Sequence, residues 1–312
     1  MTTPASISPL KVYGAEPSGG GDRVGPQRVL VVGRESRLGA ALIAQLSARG
    51  DEVLTTTRRR EGGGPYLDLA DSSSSWRLPT GITTAYICAG ITSIQTCENQ
   101  PAETARINIE GPLNLCRQLA RSRVFSICFS TNLVFNGEHP QVQTDDALLP
   151  QCAYGRQKAA MERSLRREGL PCRTIRLTKI VDPAQNLFVL WTKQLLCGQP
   201  IEAFTDMVMA PITLEHATVA ILKAGESQLP GITHVSAKTD VSYFEAARRL
   251  AQQLNTDTSL VRPVSVTQRE PQPVFVPRYT SLAPSDSFDL QPDPFRAIDA
   301  FADLYTPALR NN

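Results

Sequence analysis

Histidine is scarce in this chain, with only 3 among 312 residues. A histidine-based metal centre therefore has little to be built from. The 7 cysteines form no CxxC pair and show no Cys/His ligand spacing. Their odd, unpatterned distribution fits a reducing compartment better than a secreted disulfide framework. Most of them, including Cys88, Cys116 and Cys128, fall in apolar segments, where Cys behaves as a small hydrophobe. No apolar run is long enough to span a bilayer, and the amino-terminal residues lack a signal-type apolar core; the expected location is the cytoplasm. Charge of one sign is also missing. A formal net charge of +2 provides no field for nucleic acid or a membrane surface. With 41% hydrophobic and 20% charged residues, the composition is that of an ordinary globular protein, long enough for one large domain or a domain with a lobe.

What is present begins after a Ser/Pro/Gly-rich stretch, read as a flexible tail over 1–26. A short β-branched run over 28–32 is followed by GRESRLG at 33–39 and by apolar residues at helical spacing (Leu42, Ile43, Leu46). Strand, glycine turn and helix in that order suit a phosphate: the helix amino terminus offers free N–H groups and a partial positive charge. Gly33 allows the turn and Gly39 allows close helix packing. Ser36 stands where such turns usually carry a second glycine, so a side chain reshapes the cradle. A second strand over 52–57 ends in Arg58, Arg59 and Arg60. An acid there would hold the ribose hydroxyls of NAD, whereas Arg accommodates a 2′-phosphate, so Arg58, with Arg34, points to NADP over NAD.

A short third strand is expected over 66–71 and a fourth over 84–90, ending in the small residues Ala89 and Gly90. A helix is expected over 101–120, a fifth strand over 124–130 and a sixth over 172–177. This alternation predicts an α/β protein with a Rossmann-type, doubly wound parallel sheet. Residues 129–158 carry the most chemistry. Ser130 and Thr131 close an apolar run, and Tyr154 and Lys158 lie four apart on one face of a helix. An ammonium beside a phenol lowers its pKa and makes it a usable proton donor and acceptor. A hydroxyl from a neighbouring strand end then holds a carbonyl against it.

These residues resemble the extended short-chain dehydrogenase/reductases and, within them, the dTDP-4-dehydrorhamnose reductase group of sugar-nucleotide reductases. The features are Gly33 and Gly39 in the turn, Asp68 and Leu69, the Ala89–Gly90 pair, Asn108 with Gly111, STNLVFNG over 130–137, and Tyr154 with Lys158. The resemblance implies roles for these positions. Tyr154 gives the proton to the substrate carbonyl, Thr131 bonds the same oxygen, Lys158 holds the nicotinamide ribose, and Asn108 steadies the helix beside the site. The cofactor-binding set it implies is Gly33, Ser36, Arg37, Leu38, Gly39, Arg58, Asp68, Leu69, Cys88, Ala89, Gly90 and Lys158. Substrate contacts fall on Thr131, Asn132 and Arg278, the last as a phosphate partner, and no metal is implied.

Departures from the family pattern stand at Ser36, at Asn132 and Leu133, which replace Asp and Tyr, and at Asp182, which replaces Gly. The missing carboxylates after Thr131 disfavour sugar 4,6-dehydration. Beyond residue 180 the alternation loosens into an expected smaller α/β substrate lobe over 181–312, from which the chain can cross back to the 27–180 cofactor domain. His216 and His234 read as packing or surface residues. The expected function is an NADP-dependent reductase of a nucleotide-linked keto sugar. A cofactor-binding regulatory subunit, for which that of methionine adenosyltransferase is a precedent, and a nucleotide-sugar epimerase are the alternatives. Dimers through a helix pair are common in the family these residues resemble, which makes a homodimer possible; the sequence leaves the oligomeric state open.

Overall fold

The computed structural model describes residues 25–59, 65–71, 76–182, 186–285 and 291–305. Most of the expected amino-terminal tail lies outside the described residues, as does Arg60. β1 (Arg28–Val32) leads into α1 (Arg37–Ala48) and β2 (Glu52–Thr56). β3 (Thr84–Ile87) is followed by α2 (Ile94–Asn99), α3 (Pro101–Ala105), a π-helical turn over Arg106–Glu110, and α4 (Gly111–Arg121). β4 (Phe125–Thr131) ends in a 3-10 turn over Asn132–Val134, ahead of α5 (Ala153–Arg167). β5 (Cys172–Leu177), β6 (Ile180–Val181), α6 (Asn186–Leu196) and β7 (Ile201–Phe204) follow. Next come β8 (Val208–Met209), β9 (Ile212–Thr213), α7 (Leu214–Glu226) and β10 (Gly231–Val235). The chain closes with β11 (Val241–Ser242), α8 (Tyr243–Gln253), β12 (Val261–Val264) and α9 (Phe295–Asp303).

Six strands make one sheet in the order β10-β5-β4-β3-β1-β2, every pair parallel. β1 shows how the sequence builds two layers. Successive side chains of a strand point to opposite faces. Val29 and Val31 pack with Leu42 and Leu46 of α1 and Ile221 of α7, while Leu30 and Val32 pack with Leu115 and Leu119 of α4 and Met161 and Leu165 of α5. Burial on both faces is why the strands read as continuous apolar runs. Strand order reverses between β1 and β3, and the carboxyl ends of strands at such a switch point leave a crevice for ligand.

Two sequence expectations change. No third strand forms among the described residues of 65–71; Tyr66 makes only an isolated parallel bridge to Thr57. Asp68 ends the extension: its Oδ1 accepts from Ala70 N at 2.9 Å and its carbonyl from Asp71 N at 3.1 Å, closing an Asx turn. The expected helix over 101–120 is interrupted by the π turn that carries Asn108. The strand at 231–235 joins the large sheet beside β5, and α7 packs on α1 from the same side. The second half of the chain therefore completes the first layer before the rest forms its own core from Phe188, Trp191, Leu195, Ile201, Leu250, Ile298 and Phe301. That core carries three two-stranded pairings, β11-β8, β12-β7 and β6-β9.

Candidate active site

The glycine turn is shaped by close approach. Gly33 has φ +89°, and a Cβ there would sit 2.9 Å from the Cβ and the backbone N of Ala89. A Cβ on Gly39 would fall 2.5 Å from Gly33 O and 2.7 Å from Ser36 Oγ. Both positions therefore need glycine. Ser36 has become the N-cap of α1: its Oγ accepts from Gly39 N at 2.9 Å. The side chain in place of the second glycine thus serves the helix itself and satisfies one of its orphan N–H groups.

The 3-10 turn after β4 and the start of α5 are locked together. A Cβ on Gly155 would lie 2.1 Å from Leu133 O, so only glycine lets α5 come this close. Cys152 caps α5, its sulfur accepting from Gly155 N at 3.4 Å. Thr131 Oγ1 accepts from Leu133 N at 3.3 Å and lies 3.4 Å from Asn132 Oδ1. Tyr154 and Lys158 follow at the first two turns of α5, 8% and 6% exposed. Across from them, the Cβ position of Gly90, just past β3, is 3.9 Å from Lys158 Nζ and 3.3 Å from Asn108 Oδ1. Asn108 is fully buried. Its Oδ1 accepts from Ile91 N at 2.9 Å, and its Nδ2 donates to Ile91 O at 2.9 Å and to Gln157 Oε1 at 2.8 Å. The π turn thus tethers the end of β3 to α5 through one amide.

A cleft of about 700 Å3 runs along these strand ends, a size that suits a small-molecule or cofactor site. Among the residues predicted for the site, Ser36, Arg37, Leu38, Cys88, Ala89, Gly90, Thr131, Asn132, Tyr154 and Lys158 line it. Gly33, Gly39 and Asn108 sit immediately behind. Asp68 and Leu69 are not on its wall: Leu69 is buried, and its carbonyl and Cβ lie 2.4 and 2.7 Å from where a Cβ on Gly111 would be. Arg58 and Arg278 are exposed outside the lining, although Pro277 and Thr280 on either side of Arg278 belong to it. Sequence reasoning missed Glu35, Met207, Met209, Tyr243 and Phe275, all on the wall. Most lie in short elements of the second half with no motif of their own. Asp182, the departure from glycine, pairs with Arg37 at 3.2 Å across the mouth.

The electrostatics depart from the simple Tyr–Lys expectation. Burial pushes the Tyr154 phenol above its usual value, with Cys97 and Cys152 adding to the shift; no lowering by Lys158 is found. Desolvation is the main cause, and the hydroxyl is held protonated. Burial also lowers the Lys158 ammonium, with Cys128, Glu162 and Cys97 working against the loss.

A dinucleotide fits these residues: the turn at Gly33 and Gly39 leaves no Cβ in the way, α1 points its amino terminus into the cleft, and Ala89 and Gly90 keep the floor flat. Sheet order, glycine turn and the convergence of Thr131, Tyr154 and Lys158 define an oxidoreductase of the extended short-chain dehydrogenase/reductase type. The model of the family described as the RmlD substrate binding domain matches residues 27–297, and the chain belongs to that family. A dTDP-4-dehydrorhamnose reductase from Mycolicibacterium smegmatis is 27% identical over 275 residues, covering 86% of this chain and 82% of the relative. Among solved structures, a dTDP-4-dehydrorhamnose reductase from Clostridium acetobutylicum superposes with a TM-score of 0.78 at 21% identity, covering 89% of this chain and 99% of that one. That from Bacillus anthracis, in complex with NADP, gives a TM-score of 0.78 at 20% identity, covering 88% and 98%. These two establish a shared fold.

Proposed function

We propose that the protein is an NAD(P)-dependent reductase of a nucleotide-linked keto sugar, of the dTDP-4-dehydrorhamnose reductase kind. The observation that carries this reading is one cleft that holds Thr131, Tyr154 and Lys158 at one end and the glycine turn at the other. The bound dinucleotide supplies the hydride. Tyr154 gives its proton to the carbonyl oxygen, Thr131 Oγ1 bonds the same oxygen and orients it, and Lys158 bonds the cofactor ribose and places a positive charge beside the nascent phenolate. Met207, Met209, Tyr243 and Phe275 at the far wall suit the apolar face of a sugar and a planar base. NADPH is the proposed cofactor. Arg34 next to Gly33 and the exposed Arg58 just past β2 support it, and the Glu35 carboxylate is already engaged by Thr57 and by Arg34 at 3.5 Å.

The test is a fluorescence titration of the protein with NADPH and NADH, followed by NADPH oxidation with dTDP-4-dehydrorhamnose. Tighter NADPH binding and turnover are expected. Binding of neither nucleotide would sink the reading, and equal weakening of both by Arg58→Ala would remove the NADP preference.

A further inference from the structure

Behind the cleft lies a buried polar cluster to which the reaction as described gives no role. Glu162 follows Lys158 by four residues on α5, so Tyr154, Lys158 and Glu162 succeed one another along one helical face. Glu162 is 5% exposed. Its carboxylate accepts from Ser130 Oγ, the neighbour of Thr131, and from Arg176 of β5 at 2.7 Å through Nη2 and 3.2 Å through Nε. Arg176 is 1% exposed. It also donates to Thr144 O at 3.1 Å, stacks 4.9 Å above the Phe135 ring and lies 3.1 Å from His234 Nε2 of β10. A guanidinium only donates, so His234 Nε2 accepts. His234 Nδ1, 3.0 Å from Ala283 O, then carries the proton, and the imidazole is neutral. The cluster holds one anion and one cation.

A buried ion pair is weak evidence for stability, because apolar side chains of similar volume often do as well. Its placement gives it another use. We propose that Glu162 is a positioning residue of the reaction: through Ser130 it fixes the end of β4 that carries Thr131, and from one turn beyond Lys158 it supplies the negative charge that keeps Lys158 an ammonium. This rests on Thr131, Tyr154 and Lys158 being the reacting set. The groups that oppose desolvation of Lys158 are, largest first, Cys128 on β4, Glu162 on α5 and Cys97 on α2. Both thiols are themselves pushed up, Cys97 mainly by burial and Cys128 mainly by its bonds to Cys116 and Cys172. They stay neutral, which leaves the Glu162 carboxylate as the anion of the three.

Glu162→Gln keeps the side-chain shape and removes the charge. A 13C titration of lysine side chains in the full chain reads Lys158 directly and needs no substrate. Its midpoint is expected to move to lower pH in Glu162→Gln and to return in Glu162→Asp. With NADPH and dTDP-4-dehydrorhamnose, the alkaline limb of kcat should move the same way, with kcat down roughly a hundred-fold and KM little changed, as for a misplaced reacting group. Ser130→Ala breaks only the tether; it should lower kcat and leave the Lys158 midpoint alone. If Glu162→Gln folds poorly, the paired Glu162→Leu/Arg176→Met leaves no lone buried charge and carries the same readouts. A Lys158 midpoint unmoved in the folded variant, or full kcat in Ser130→Ala, overturns the corresponding half of the proposal. Full activity in Tyr154→Phe would instead overturn the reading of the site, whatever the Lys158 titration shows.

Discussion

A hydroxyl, a phenol and an ammonium do ordinary chemistry alone; here burial changes what each is ready to do. Tyr154 is kept protonated by desolvation, the form that the proposed reduction needs in its acid. Tyr154→Phe removes that proton with little change of shape. Turnover is expected to drop by about 10²–10⁴, the usual worth of a positioned acid, while the NADPH titration stays near wild type. Lys158 is lowered by its burial, and its charge is lost as pH rises through that depressed value. The kcat profile should therefore fall on the alkaline side at a pH below the ordinary lysine range, and a profile flat through that range would exclude Lys158 as the titrating group. At the other end of the cleft, Gly39→Ala sets a Cβ 2.5 Å from a backbone oxygen. The turn must open, and cofactor binding should be lost in a titration while the fold survives. Ser36→Ala removes the cap of α1 and should cost about 1 kcal/mol in a denaturant melt.

Helices and turns matter here chiefly through where they touch. α5 brings Tyr154 to the cleft because Gly155 lets it lie against Leu133 O. Gly155→Ala is expected to push α5 off the turn after β4, lowering kcat and melting temperature together. Gly169→Ala, at φ +59° with nothing within 4 Å of the new Cβ, is the contrast. It adds local backbone strain of about 1 kcal/mol and should leave kcat unchanged. The π turn at Arg106–Glu110 carries Asn108, whose amide joins the end of β3 to α5. In α8, Ser242 and Glu245 form a full capping box at the start of the helix that carries Tyr243 to the cleft wall. Ser242→Ala should therefore reduce stability by about 1 kcal/mol in a denaturant melt.

Across the whole molecule, the cleft is where the sheet edge meets the second core. Lys158 and Ser36 come from one, Met209 and Tyr243 from the other, and Arg37 pairs with Asp182 between them. A ligand bound there stabilises the folded chain as a unit. NADPH at a hundred times its Kd should add about 2.7 kcal/mol, a rise of roughly 4 °C in melting temperature for a chain of 312 residues. An unchanged melting temperature at saturating NADPH would mean the cleft does not bind it. Among the described residues no helix is long and apolar enough to cross a membrane.

Local patterns in the amino-acid order determined the parallel α/β sheet, the glycine turn, the Thr131 strand end and the Tyr154–Lys158 face. Each depends on spacing over a few residues, which the chain itself sets through strand and helix periods. The expected third strand was misread because apolar alternation at 66–69 does not register an Asx turn at Asp68. The helix through Asn108 hid its π turn, since that bulge follows from a side-chain amide reaching Ile91 and Gln157. Only the tertiary structure decided the far wall of the cleft and the company Glu162 keeps. Glu162 stood in plain view at the next helical repeat after Lys158, but its partners Ser130 and Arg176 arrive from β4 and β5, and His234 from β10. His234, read from its neighbours in sequence as a packing or surface residue, is fully buried against Arg176. Such contacts exist only once parallel strands distant in sequence lie side by side, and the burial that tunes Tyr154 and Lys158 comes with the same closure.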